Sequence, residues 1–227
     1  MFKHDKNLLE MVRVERPNPQ YATMLQEQLG GPNGELKAAL QYFSQSFRIK
    51  DPEIKDLFQD IASEELSHME MVATAVNMLN GHDIDVTGTQ PAGNIEANVL
   101  TGLAPYLTNG SGVPFTATYV NVTGDLPADI LSNIAAEQRA KVVYEYLHRQ
   151  INDKHVRQMI DFLLNREEAH NTLFRQAFQK IQANGSDRDW GVDEDARLYF
   201  DLSTPGVNHF NLNNPQAPSF QNPNLTQ

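Results

Sequence analysis

Residues 54–79 read IKDLFQDIASEELSHMEMVATAVNML, and their spacing decides the fold. Steps of four and three residues pick out Ile54, Phe58, Ile61, Glu65, His68, Val72, Ala75 and Leu79, the seam that one face of a buried α-helix presents. Two polar residues, Glu65 and His68, interrupt an otherwise apolar line. Asp51-Pro52 before the stretch supplies an N-cap and a proline at the first helical position, and Asn80-Gly81 supplies the stop. The same seam recurs as Val156, Ile160, Leu163, Glu167, His170, Phe174, Ala177 and Ile181, each 102 positions after its counterpart. Asp153 caps that second helix, which the spacing ends near Gly185.

A further helix precedes each of these two. One covers about residues 20–49 and is interrupted at Gly30-Gly31-Pro32-Asn33, where Asn33 is the candidate cap for a fresh start; the other runs from about Pro127 to Ile151. Glu35 stands 30 residues before Glu65, and Glu137 stands 30 before Glu167. That interval is about one helix, a short turn and a return to the same level of an antiparallel neighbour. The chain therefore reads as two helical hairpins related by a pseudo-repeat, an all-α four-helix bundle. Residues 81–125 lack helical period and are long enough to cross the bundle between its second and third helices. Residues 1–185 form the bundle domain with its N-terminal extension, and 186–227, rich in Asn and Pro towards the end, form an extended C-terminal tail that cannot build a core alone.

Composition narrows the function. The 227-residue chain has no cysteine, which removes disulfides, thiolate metal sites and a catalytic thiol. Its net charge of −11 argues against a nucleic-acid partner, since phosphate binders concentrate Lys and Arg. The opening residues lack the apolar core of a signal peptide, and no stretch approaches a membrane span, so no membrane partner and a cytoplasmic setting are expected.

In the bundle the pseudo-repeat brings four glutamates and two histidines to one level. Burying these carboxylates uncompensated would be prohibitive, because each loses hydration and like charges repel. Two divalent cations solve both problems. Carboxylate oxygen with imidazole nitrogen and no sulfur suits manganese or iron, and one Glu from each of two helices with Glu-x-x-His from each of the other two is the donor set of di-iron and di-manganese carboxylate proteins. A lone Glu-x-x-His is common on solvated helices; the paired motifs with equally spaced partners are not. Glu64, Glu70 and Glu168 read as exposed or rim charges. Tyr42, two turns after Glu35, is placed to hydrogen-bond that carboxylate or to pack in the core.

Several stretches in order, MFKH at the start, LGGPNGE (29–35), EELSHMEM (64–71), AAEQRAKVVYEYL (135–147), NREEAH (165–170) and YFDLSTPG (199–206), resemble the manganese (non-haem) catalases of the ferritin-like superfamily. The resemblance spans nearly the whole chain. It implies a ferritin-like bundle holding two manganese ions per subunit, disproportionation of hydrogen peroxide to water and dioxygen by two-electron cycling, and homohexamers whose tails embrace neighbours. It further implies Glu35 and His68 on one manganese, Glu137 and His170 on the other, and Glu65 bridging. Glu167 is then a proton carrier beside the bridging solvent rather than an ordinary ligand. The family places a basic residue near the substrate channel. Ala136 departs from that pattern, leaving Lys141, one turn after Glu137, as the candidate, with an ion pair to an acidic neighbour as its plain alternative. Some relatives hold calcium, which would fall here on Asp56, Asp60, Asp201 and Ser203; a solvated helix face explains the first two equally well. Two rival functions use the same scaffold: a di-iron oxidase or peroxidase, which would keep Glu167 as a direct ligand, and a non-catalytic structural coat protein.

Overall fold

A computed structural model describes residues 5–81 and 107–184. Among them, α-helices account for the architecture: α1 (Pro19–Gly30), α2 (Glu35–Ser46), α3 (Pro52–Asn80), α4 (Leu126–Gln150) and α5 (Lys154–Asn184), with a single 3-10 turn at Ala117–Tyr119. The first bundle helix is the broken pair α1–α2, which packs along α3; α4 pairs with α5. The expected four-helix bundle of two hairpins is therefore present. The expected tail, 186–227, and the first part of the crossover, 82–106, lie outside the described residues.

The helix ends follow local chemistry. Asp51 Oδ1 accepts from the amides of Glu53 and Ile54, and Asp153 Oδ1 accepts from those of His155 and Val156. Each cap satisfies backbone donors that the first turn leaves unpaired. Gly81 stops α3 in the left-handed conformation, φ 95°, which a side chain would resist. Gly34 rather than Asn33 caps α2, without a side-chain hydrogen bond. The side chain of Asn33 is engaged elsewhere, accepting from Arg139 Nε at 3.0 Å. Glycine is required at the break by close approach: a Cβ on Gly30 would stand 2.5 Å from Thr108 N, and one on Gly34 would stand 2.5 Å from Gln28 O.

Residues 107–125 run back along the first helix. They meet Gly30 through Thr108, and their far end is tied down where Asn121 N donates to Gln41 Oε1 and Asn121 O accepts from Gln45 Nε2. Buried Asn133 of α4 joins those two glutamines in hydrogen bonds of 2.7 Å each, so this polar seam between α2 and α4 is closed. The apolar interior falls into two clusters. One gathers Leu25, Leu29, Val72, Ala75, Leu79, Val156, Ile160 and Leu163; the other gathers Ile54, Phe58, Ile61, Ile130, Phe174, Ala177 and Ile181. Both seams read from the sequence are buried along their length, and Glu65, His68, Glu167 and His170 separate the two clusters.

Candidate metal centre

Antiparallel packing of α3 and α5 brings the two Glu-x-x-His motifs face to face. The imidazoles of His68 and His170 stack with ring centroids 5.5 Å apart and planes 20° from parallel. Glu65 lies between them: its Oε2 is 3.0 Å from His68 Nδ1, and its Oε1 is 2.9 Å from His170 Nδ1. Glu35 Oε2 is 3.7 Å from His68 Nδ1, and Glu137 Oε2 is 3.8 Å from His170 Nδ1. The donor atoms of Glu35, Glu65, His68 and Glu167 lie within 4.8 Å of one another, as do those of Glu65, Glu137, Glu167 and His170. The sequence-predicted residues thus form two overlapping four-donor groups, sharing Glu65 and Glu167 and buried throughout.

Burial governs the charges of this cluster. It pushes the Glu35 carboxyl up to about 8 against the pull of His68, and with the neighbouring Glu65 charge it pushes Glu137 up to about 7. Burial and the charges of Glu65, Glu35 and Glu137 hold Glu167 well above the ordinary range. Burial alone would raise Glu65 as well, but the charges of His170 and His68 outweigh it and keep that carboxyl low. Burial opposes protonation of His170, yet the Glu65 charge and its hydrogen bonds to Glu64 and Glu65 lift it to about 10. The metal-free cluster therefore relieves its repulsion with protons, and cations would take their place. Glu137 Oε2 and Glu167 Oε1 are buried without a hydrogen-bond partner, as atoms awaiting a cation or solvent would be. Oxygen and imidazole donors in this number fit manganese.

Two tyrosines close the cluster, and they cross between hairpins. Tyr42 of α2 donates to Glu137 of α4, and Tyr144 of α4 donates to Glu35 of α2. Of the two roles open to Tyr42, core packing holds, since it is fully buried in the second apolar cluster; its hydroxyl bonds the other hairpin's carboxylate rather than Glu35. Each tyrosine belongs to a different apolar cluster, so the carboxylates are roofed from both ends.

This chain matches the family model for manganese containing catalase over residues 1–204. It belongs to the manganese catalase family. It is 64% identical to a probable manganese catalase of Clostridium acetobutylicum, across 98% of this chain and 99% of that one. It is also 38% identical to the protein CotJC of Bacillus subtilis, over 80% of this chain and 95% of the other. The crystal structure of KatB, a manganese catalase from Anabaena, superposes with a TM-score of 0.74 at 37% identity, covering 83% of each chain. The family implies manganese and hydrogen peroxide, and the buried carboxylate and histidine groups are a set that could hold metal. Catalase is favoured over the di-iron and structural readings.

Other predicted residues fare differently. Lys141 Nζ is 2.5 Å from Glu168 Oε2, the plain ion pair, with Glu168 more than half exposed. Asp56 and Asp60 are exposed on α3, and among the described residues no third acidic or histidine group gathers with them. Asp201 and Ser203 lie outside the described residues. No described helix is long and apolar enough to cross a membrane.

Two residues escaped the sequence reading. Glu64, read as a rim charge, is a quarter exposed, yet its carboxylate faces the outer nitrogen of both histidines. Lys37 is buried on α2, and its Nζ has no hydrogen-bond partner; burial and then Arg139 lower its ammonium to about 8. Nothing in the spacing marks Lys37. A signal for Glu64 did exist: its counterpart 102 residues on is Arg166, of opposite charge.

Proposed function

We propose that the protein disproportionates hydrogen peroxide at two manganese ions per chain, one held by Glu35 and His68, the other by Glu137 and His170, with Glu65 shared. The observation that carries this reading is Glu65 itself, whose two oxygens each face the Nδ1 of a different histidine. Manganese ions bound there would supply a two-electron store, filled by one peroxide and emptied by the next. Oxidation of one peroxide to dioxygen releases two protons and two electrons; reduction of a second to two waters consumes the same number. Protons must therefore be kept nearby between half-reactions. Glu167 is our candidate to hold one, because its buried Oε1 has no hydrogen-bond partner and stands 3.6 Å from His68 Nδ1. Tyr42 and Tyr144 orient the two outer carboxylates, and the apolar clusters on either side limit water.

The family resemblance alone supports a channel role for Lys141, whose ammonium is paired with Glu168. The family resemblance further supports a homohexamer in the cytoplasm and calcium at Asp56 and Asp60 with Asp201 and Ser203. Oxygen evolution and elemental analysis of the purified protein test the main reading. One dioxygen per two peroxides with two manganese per chain is expected. Iron alone, with oxygen consumed rather than evolved, would overturn it. The same analysis reads calcium, and light scattering reads the assembly.

A further inference from the structure

The helix α2 begins without the groups that usually close a helix start. Gly34 caps it, and no side chain bonds its first amides. Three residues past the cap, where a glutamate or glutamine would reach back to the cap amide, stands Lys37. A helix start is the positive end of the backbone dipole, so a cation there is unfavourable. The one acid of that first turn, Glu35, is turned to Tyr144 and His68 in the donor cluster.

Lys37 is nonetheless only 2% exposed, and its Nζ is buried with no hydrogen-bond partner. Side chains on a helix lean towards its N-terminus, so from the first turn this ammonium is directed at the uncapped end. A second cation reaches the same end from α4. Arg139 Nε donates to Asn33 Oδ1, one residue before the cap, and the Arg139 charge acts on Lys37. The pseudo-repeat pairs these two as well, since they stand 102 positions apart. Neighbouring acids are engaged elsewhere: Glu137 accepts from Tyr42, Glu65 faces the two histidines, and Glu27 accepts from Gly110 N. The charges of Glu137 and Glu65 reach Lys37, but neither carboxylate bonds it.

We propose that the start of α2, with Lys37 and Arg139, is a binding site for one small monovalent anion of halide size. Main-chain N–H groups at a helix start and an ammonium are all donors, and an anion accepts from both kinds. The break is tightly packed, because a Cβ on Gly31 or Gly34 would meet neighbouring oxygens at 2.3 and 2.5 Å; that excludes a phosphate-sized group. Arg139 is exposed to solvent, so the buried surplus is a single positive charge, which one negative charge offsets. The anion takes up donors that the fold leaves over and lets the Lys37 ammonium stay buried as a charge. Lys37 lies two residues past Glu35, about 200° around the helix, so the site is on a different face of α2 from the donor cluster. It needs no manganese, and failure of the manganese reading leaves it standing.

Crystals of the full-length protein soaked in sodium bromide, with and without manganese, test this by anomalous diffraction at the bromine edge. A bromide peak is expected in contact with Lys37 Nζ and the first amides of α2 in both forms, and excess chloride should remove it. Lys37→Met should abolish the peak, and Arg139→Gln should lower its occupancy. In solution, chloride should raise the melting temperature above that in gluconate at equal ionic strength, because a ligand of the folded state stabilises it. Lys37→Met should lose that shift. Absence of the peak, a peak that persists in Lys37→Met, or bromide found only on the manganese ions would overturn the proposal. So would an equal chloride shift in wild type and Lys37→Met, the mark of an adventitious ion only. Should Lys37→Met fail to fold, Lys37→Gln, which keeps a polar end without the charge, carries the same comparisons.

Discussion

The two hairpins, α1–α3 and α4–α5, repeat the residues of the buried polar cluster and diverge in much of their surroundings. Glu35, Tyr42, Glu65 and His68 correspond to Glu137, Tyr144, Glu167 and His170, each pair separated by 102 residues and all buried. Yet the first helix of one hairpin is broken at Gly30–Gly34, whereas α4 runs unbroken from Leu126 to Gln150. Gly34 caps α2 where α4 has Ala136 within the helix, and Lys37 is buried where Arg139 is exposed. A two-fold arrangement has been kept where donors must converge and abandoned where the surroundings are unequal. Even the inner pair Glu65 and Glu167 is alike in place but not in contacts, since Glu65 alone gives one oxygen to each histidine Nδ1.

Substituting that unequal pair should break the comparison most severely. Glu65→Gln removes the carboxylate common to both donor groups, and the protein should retain well under one manganese per chain by elemental analysis. Glu167→Gln should keep both ions and lose turnover by about 10²- to 10⁴-fold, the contribution of a positioned proton carrier. Equal metal loss in the two variants would make Glu167 a ligand on the same footing as Glu65.

The crossed tyrosines offer a finer test. A hydrogen bond to a charged group contributes about 1.5–3 kcal/mol, so each Tyr→Phe change should weaken manganese binding about tenfold or more. Tyr42→Phe should affect the half holding Glu137 and His170, and Tyr144→Phe the half holding Glu35 and His68. Stepwise manganese titration followed by electron paramagnetic resonance separates the two. The reverse assignment would mean that each tyrosine serves its own hairpin.

Much of this was legible in the sequence, because periodicity reports which residues share a helix face. The interrupted seams of α3 and α5 and the 30-residue intervals to Glu35 and Glu137 are enough to bring six donors together. Periodicity does not report which neighbouring helix a side chain reaches. The sequence therefore offers Tyr42 the carboxylate on its own helix or a place in the core, and not the Glu137 carboxylate it reaches. Glu64, one residue off the seam, reads as a rim charge because adjacent positions differ by about 100° around a helix, yet its carboxylate oxygens stand 3.4 Å from the Nε2 atoms of His68 and His170. The cap of α2 was read at Asn33 from residue preference, whereas the backbone approach of Gln28 requires a residue without Cβ at Gly34.

That break should also be measurable. Gly34→Ala forces a Cβ towards Gln28 O at 2.5 Å and should cost about 1–3 kcal/mol in denaturant unfolding. The counterpart Ala136→Gly, inside a continuous helix, should cost only about 0.5–1 kcal/mol. Similar losses at both positions would show that the break is not under steric demand.

The smallest effect expected is on pH dependence. Glu35 and Glu137 are raised in the folded, metal-free protein to about 8 and about 7 from 4.5, so the fold binds more protons than the unfolded chain in that window. Their contribution is present below about 4.5 and is lost as pH rises through 7 to 8. His170, raised to about 10 from 6.5, acts in the same direction at higher pH. The melting temperature of metal-free protein should therefore fall between pH 5 and pH 9, by several degrees. Stabilisation by added manganese should grow over the same range, because metal binding displaces those protons. A melting temperature that rises across that range would contradict these assignments.

The most direct test is anomalous X-ray diffraction at the manganese edge from crystals of the manganese-loaded protein. Two peaks per chain are expected, one against His68 Nδ1 and Glu35 and the other against His170 Nδ1 and Glu137, with Glu65 in contact with both and Glu167 with neither. A single peak, or a pair bridged by Glu167 in place of Glu65, would contradict the account.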